Sequence, residues 1–174
     1  MNSESLRIAD QLRRAFDGKA WHGDSLTELL AGVTPEQAHA HPVPNGHSIW
    51  ELVLHIQVWT QAGRDAVKGV TLPESLPPEE DWPKPPELHG GKDKSADEKL
   101  WSDAVQRLFR TSQLLREDLE TFSDDKLDNI VPGRKYNYYF LFHGIVQHSL
   151  YHAGQMALLK KLPRPSYPPL AKQA

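Results

Sequence analysis

Residues 143–161, HGIVQHSLYHAGQMALLKK, decide how this chain folds. Read together with the residues just before them, Leu141, Ile145, His148, His152, Gln155 and Leu159 recur in steps of 4, 3, 4, 3 and 4. That alternation defines one face of an amphipathic helix. Histidines occupy two positions where such a face would carry core residues. Side chains four apart on a helix are neighbours, so His148 and His152 can converge on one point. Polar groups removed from water have to be hydrogen-bonded or ligated. A shared metal ion would meet that need for both rings.

Working outward, the same stripe logic predicts three more long helices. One runs from Ser3 to Phe16, with Leu6, Ala9, Leu12 and Phe16 on one side, and ends before Gly18 and Gly23. A second starts at Ser48 and continues to about Lys68, with Glu51 in capping-box position. Its stripe is Leu52, His55, Trp59, Ala62 and Ala66, where a histidine again replaces an apolar residue. The third is predicted from Ser95 to about Phe122, with Trp101, Val105, Leu108, Leu115, Leu119 and Phe122 on one face. The fourth, from about Asn137 to Leu162, contains the opening stretch and is stopped by Pro163 and Pro165. Short helical pieces are expected at Ser25–Ala31 and after Thr34-Pro35, while 39–47 reads as a turn-rich connection.

Residues 69–94 carry Pro73, Pro77, Pro78, Pro83, Pro85 and Pro86 with little periodicity, and read as an irregular crossover. No strand pattern competes. The predicted fold is therefore all-α, a four-helix bundle with a long Pro-rich crossover, forming a single domain over 1–174. The Pro-rich tail, 163–174, is expected to pack as an extended strap or fray.

Composition narrows the function classes. Charged residues make up 25% of the 174 and the net charge is -3, so no broad basic field favours nucleic acid. No apolar run approaches a membrane span, and the charged N-terminal stretch lacks the apolar region of a signal peptide. A cytoplasmic location is the expectation. There is no Cys, which rules out disulfides, thiolate metal sites and a cysteine nucleophile.

His55, His148 and His152 thus lie on the inward stripes of two helices, and bundle cores are a recurrent place for metal sites. Neutral imidazole suits zinc, nickel and related divalent ions. Three protein ligands leaving a coordination position open is the pattern of a catalytic site. With nine histidines in the chain, a chance pair of satisfied core histidines is the competing reading. Glu51, one turn before His55, is a candidate for orienting that ring or acting as a base, against a plain role in the cap. Gln155, one turn past His152, is a candidate for lining the pocket or bonding a ligand. His143 falls off the ligand face and reads as a surface or supporting histidine. Trp50, Trp59 and Trp101 read as core or pocket wall, and Trp82, in DWPKPP, as a cover for the bundle mouth.

SIWELVLHIQVW, followed about ninety residues later by HGIVQHSLYHAGQMALLKK, resembles the DinB/YfiT-like superfamily. AWHGDSLTELLAGVTPEQA and the DWP element extend the resemblance over nearly the whole chain. It implies a four-helix bundle with a divalent metal held by three histidines, which by position are His55, His148 and His152. It also implies relatives that transfer or isomerise through a low-molecular-weight bacterial thiol. The expected function is a divalent-metal-dependent enzyme, zinc- or nickel-loaded, activating a bound thiol or water toward a small-molecule substrate. A non-catalytic, metal-stapled bundle acting as a stress or interaction protein is the alternative, and a homodimer is the expected assembly.

Overall fold

The computed structural model describes residues 3–162; the tail expectation, 163–174, lies outside them. Seven α-helices and no strands occur among the described residues. Four are long: α1 (Glu4–Asp17), α4 (Ile49–Val67), α6 (Lys94–Glu120) and α7 (Tyr138–Leu159). Three are short: α2 (Leu26–Leu30), α3 (Pro35–His39) and α5 (Pro78–Asp81). Among the long helices, α1 and α4 each pack against both α6 and α7, which closes a ring around one hydrophobic core.

Local chemistry sets the helix starts. Ser48 and Glu51 form the expected capping box on α4, and Asn137 caps α7 by accepting from Phe140 N at 2.9 Å. The start of α6 is shifted from the expected Ser95: Asp93 caps it, accepting from Ala96 N at 3.0 Å. Its carboxylate offers a stronger acceptor to the exposed amides than the serine further on. Phe122 lies beyond the end of α6 yet still packs its ring on Tyr138 and Phe142.

The stripe of α1 is also rotated from the sequence reading. Ser5, Ile8, Ala9, Leu12, Ala15 and Phe16 are buried, while Leu6 is exposed. Ser5 goes inward because Asp124 holds it, accepting from Ser5 N at 3.0 Å and from its hydroxyl at 2.6 Å.

The crossover is pinned rather than loose. Leu72 N donates to Pro132 O at 2.9 Å, and the backbone approaches so closely there that a Cβ on Gly133 would lie 1.9 Å from Leu72 O. Gly133 also has φ +81°, so two separate constraints call for glycine. Beyond that clamp, α5 forms where the sequence suggested irregular chain, started by Pro78 in its first turn. It delivers Asp81 and Trp82 to α4. No helix of the described residues is long and apolar enough to cross a membrane.

Candidate metal centre

Three imidazoles meet between α4 and α7. His148 Nε2 lies 2.9 Å from His55 Nε2 and 2.9 Å from His152 Nε2. One ligand atom from each of the three falls within 4.8 Å of the others, so the group can hold a metal ion. Two nitrogens bound to one zinc ion at about 2.0–2.1 Å sit roughly 3 Å apart, which matches this spacing.

At His55 and His152 the partner on the far nitrogen fixes which nitrogen faces the centre. His55 Nδ1 donates to Asp81 O at 2.6 Å, and Asp81 Oδ1 lies 3.3 Å away. His152 Nδ1 donates to Gln155 Oε1 at 2.6 Å. With the ring proton on Nδ1, the neutral tautomer leaves a lone pair on Nε2 in both cases. His148 stands between them. A proton on its Nε2 can serve only one neighbour, and its buried Nδ1 has no partner. A proton on Nδ1 instead leaves three lone pairs facing one another. No protein-only arrangement satisfies the trio, whereas one divalent cation takes up all three Nε2 lone pairs.

Electrostatics point the same way. Burial pushes the His148 imidazole down to about 3, reinforced by His152 and His55. Burial also lowers His55 and His152, opposed by Asp81 at the first and by Gln155 at the second. The rings are therefore neutral near pH 7, the form that binds a metal.

Trp82 roofs the group, as its sequence reading suggested. It stacks on His55 with centroids 3.7 Å apart and planes 5° from parallel, and His47 stacks on its other face at 3.5 Å. Trp59 Nε1 donates to Asp81 Oδ1 at 2.9 Å, so the side chain beside the roof is itself fixed. Trp50 and Trp101 are core, and Trp59 is a pocket wall.

The two other candidates take different places. Gln155 orients His152 from behind. Glu51 faces the helix cap, where its carboxylate accepts from Ser48 N at 2.7 Å and pairs with His41 at 2.8 Å. Burial raises its pKa, but the bonds from Ser48 and His41 outweigh this and hold the carboxyl below its ordinary value. Glu51 is thus a structural cap and a weak base. His143 turns away toward Glu4 on α1, 3.3 Å off.

An apolar cavity of about 270 Å³ opens beside the trio, lined by Trp59, Tyr136, Phe140, Leu141, Gly144, Ile145 and His148. The Arg134 guanidinium lies 5.7 Å from the Trp59 ring and 5.9 Å from the Tyr136 ring, bracing two of its walls. Sequence reading missed this cavity and the Asp81 contact. A glycine in mid-helix at 144 bears on the cavity, but Gly63 and Gly154 look the same in the sequence.

The model of the DinB superfamily matches residues 20–156, well over half of the chain and inclusive of all three histidines. The match begins after α1. Neither a curated protein nor a solved structure shows significant similarity.

Proposed function

We propose, from the premise that the chain belongs to the DinB superfamily, that His55, His148 and His152 bind a divalent metal ion, zinc or nickel, at the centre of an enzyme. The observation that carries this reading is the convergence of three Nε2 atoms whose partner nitrogens, at His55 and His152, are already committed to Asp81 and Gln155. A buried trio of this kind is unfavourable for stability alone, because it sets lone pairs against one another.

When bound, the ion acts as a Lewis acid that holds a thiol or water in its anionic, nucleophilic form at neutral pH. The chain's own groups do the remaining work. Asp81 and Gln155 keep two rings in the ligating tautomer. Trp82 shields the trio from solvent. The cavity beside His148 receives the small-molecule substrate. Any thiol has to be a separate low-molecular-weight molecule, since the chain has no Cys. The thiol-dependent form of the reaction is an S-transfer, in which the sulfur bonds to an electrophilic carbon and the leaving group departs with its electron pair.

A bundle merely stapled by metal would have no use for a ligand-sized hollow against a ligand residue, and His148 lines one. The site is read as acting on its own; a homodimer and a cytoplasmic setting accompany the proposal.

The test is turnover of an electrophilic substrate by metal-loaded and chelated protein, with and without bacillithiol or mycothiol. Turnover that needs both metal and thiol supports the transferase. Equal turnover without thiol leaves a hydrolase, and activity untouched by chelation contradicts the metal-dependent reading.

A further inference from the structure

Gly144 is a glycine that the fold does not require. It sits inside α7, where glycine destabilises a helix relative to alanine. Its backbone has no left-handed φ, and a Cβ built on it would meet nothing within 4 Å. Gly63, on the facing helix, shows what a packing glycine looks like: a Cβ there would lie 2.5 Å from Ile145 Cδ1 and 3.2 Å from Leu115 Cδ2. Gly63 lets helices approach; Gly144 only keeps space open. That space is the cavity beside His148.

We infer that this cavity binds an uncharged, single-ring aromatic portion of the substrate, and that Gly144 is the residue that sets its depth. The inference rests on the enzyme reading above and adds the substrate class. About 150 Å³ lined by apolar side chains is enough for benzene, so about 270 Å³ takes one ring with a substituent. Trp59, Tyr136 and Phe140 offer aromatic surfaces for edge or offset contacts. A charge placed among these walls would lose its water, and no lining residue is ionised to pair it, the Arg134 guanidinium lying behind the Trp59 and Tyr136 rings. His148 is the polar wall, so the reactive substituent of a bound ring points to the imidazole that faces His55 and His152.

The test uses 4-fluorobenzyl alcohol as probe, followed by fluorine NMR titration on metal-loaded and chelated full-length protein. Gly144→Leu should weaken binding at least about tenfold, and Gly144→Ala by a smaller factor, because each added methylene fills the pocket. Neither should lower Tm or metal content. Gly154→Leu is the control: it lies on the same helix, its Cβ also meets nothing within 4 Å, and it does not line the cavity, so binding should match wild type. Three results would overturn the inference. The first is undiminished binding to Gly144→Leu. The second is a lower Tm for both Gly144 variants, which would make the glycine a packing requirement. The third is a wild-type protein that ignores the probe, whether monomeric or, by light scattering, a dimer that only Gly144→Leu disrupts. The metal reading fails separately: a chain that binds probe but takes up no ion loses the metal and keeps the pocket.

Discussion

Helix α4 meets its two neighbours along seams of opposite character. Toward α6 the seam is filled: Trp50 tilts on Trp101 at 5.0 Å, and Arg64 pairs with Asp118 at 2.9 Å. Nearby, Gly63 admits Leu115. Toward α7, Gly63 again lets Ile145 in and Tyr138 OH donates to Ala66 O, but one stretch breaks the pattern with three imidazoles and a cavity. One helix thus carries stability on one flank and chemistry on the other. Apolar contact and the Arg64–Asp118 pair hold the first seam together, with the Trp50 indole N–H buried there without a partner. The second sets three imidazole nitrogens against one another and leaves space unfilled, features that stability alone would remove.

Substitutions on the filled seam should cost most. Trp101→Ala removes a buried ring and orphans Val33 O, which accepts from its Nε1 at 2.8 Å. A loss of about 3–5 kcal/mol in urea unfolding is expected. Gly63→Ala should follow, at about 1–3 kcal/mol, because Ile145 and Leu115 have to shift. Gly144→Ala on the same pair of helices should have the opposite sign, a gain of up to about 1 kcal/mol. Equal effects at the two glycines would erase the distinction between the seams.

Acid should then act first on the imidazole seam. All three histidines have folded-state values below the ordinary value of about 6.5. The unfolded chain therefore binds more protons, so the stability associated with the neutral rings is present above pH about 6.5 and lost as pH falls toward 3. Chelated protein should show a lower urea midpoint at pH 5.5 than at pH 7.5. The carboxyls of Asp10, Asp97 and Asp124, and of Glu28, Glu36 and Glu51, are held below their ordinary values and titrate further down than pH 5.5. A midpoint flat across the window would mean that the rings are not held neutral. The smallest effect belongs to His148→Ala in chelated protein. Its Nδ1 has no partner, so stability should stay within about 1 kcal/mol of wild type.

How much of this was legible in the sequence follows the range of the interactions. Ser48–Glu51 capping and the His148–His152 pairing act within one or two turns, and residue types at fixed spacing display them directly. The assignment of His55 to the same point needed only the inward stripe of a second helix. Trp82 showed as a cover, but the hold on His55 behind it did not, because Asp81 reaches that ring across twenty-six positions from a proline-rich stretch with no period to read. Gln155 was placed on the right turn, but its hold on the back of His152 depends on side-chain torsions. Glu51 admitted two uses from sequence, and the coordinates assign it to the cap through Ser48 and His41. The cavity stayed hidden because empty volume leaves no residue pattern, and Gly144 reads no differently in sequence from Gly63 or Gly154.

The most direct measurement is metal content per chain, by elemental analysis, of wild-type protein and His148→Ala purified without any immobilised-metal column. About one zinc or nickel ion per wild-type chain, with little or none in the folded variant, is the expected result. Wild-type protein that takes up no divalent ion when one is supplied, or a variant that retains a full complement, would contradict a metal centre built from these three rings.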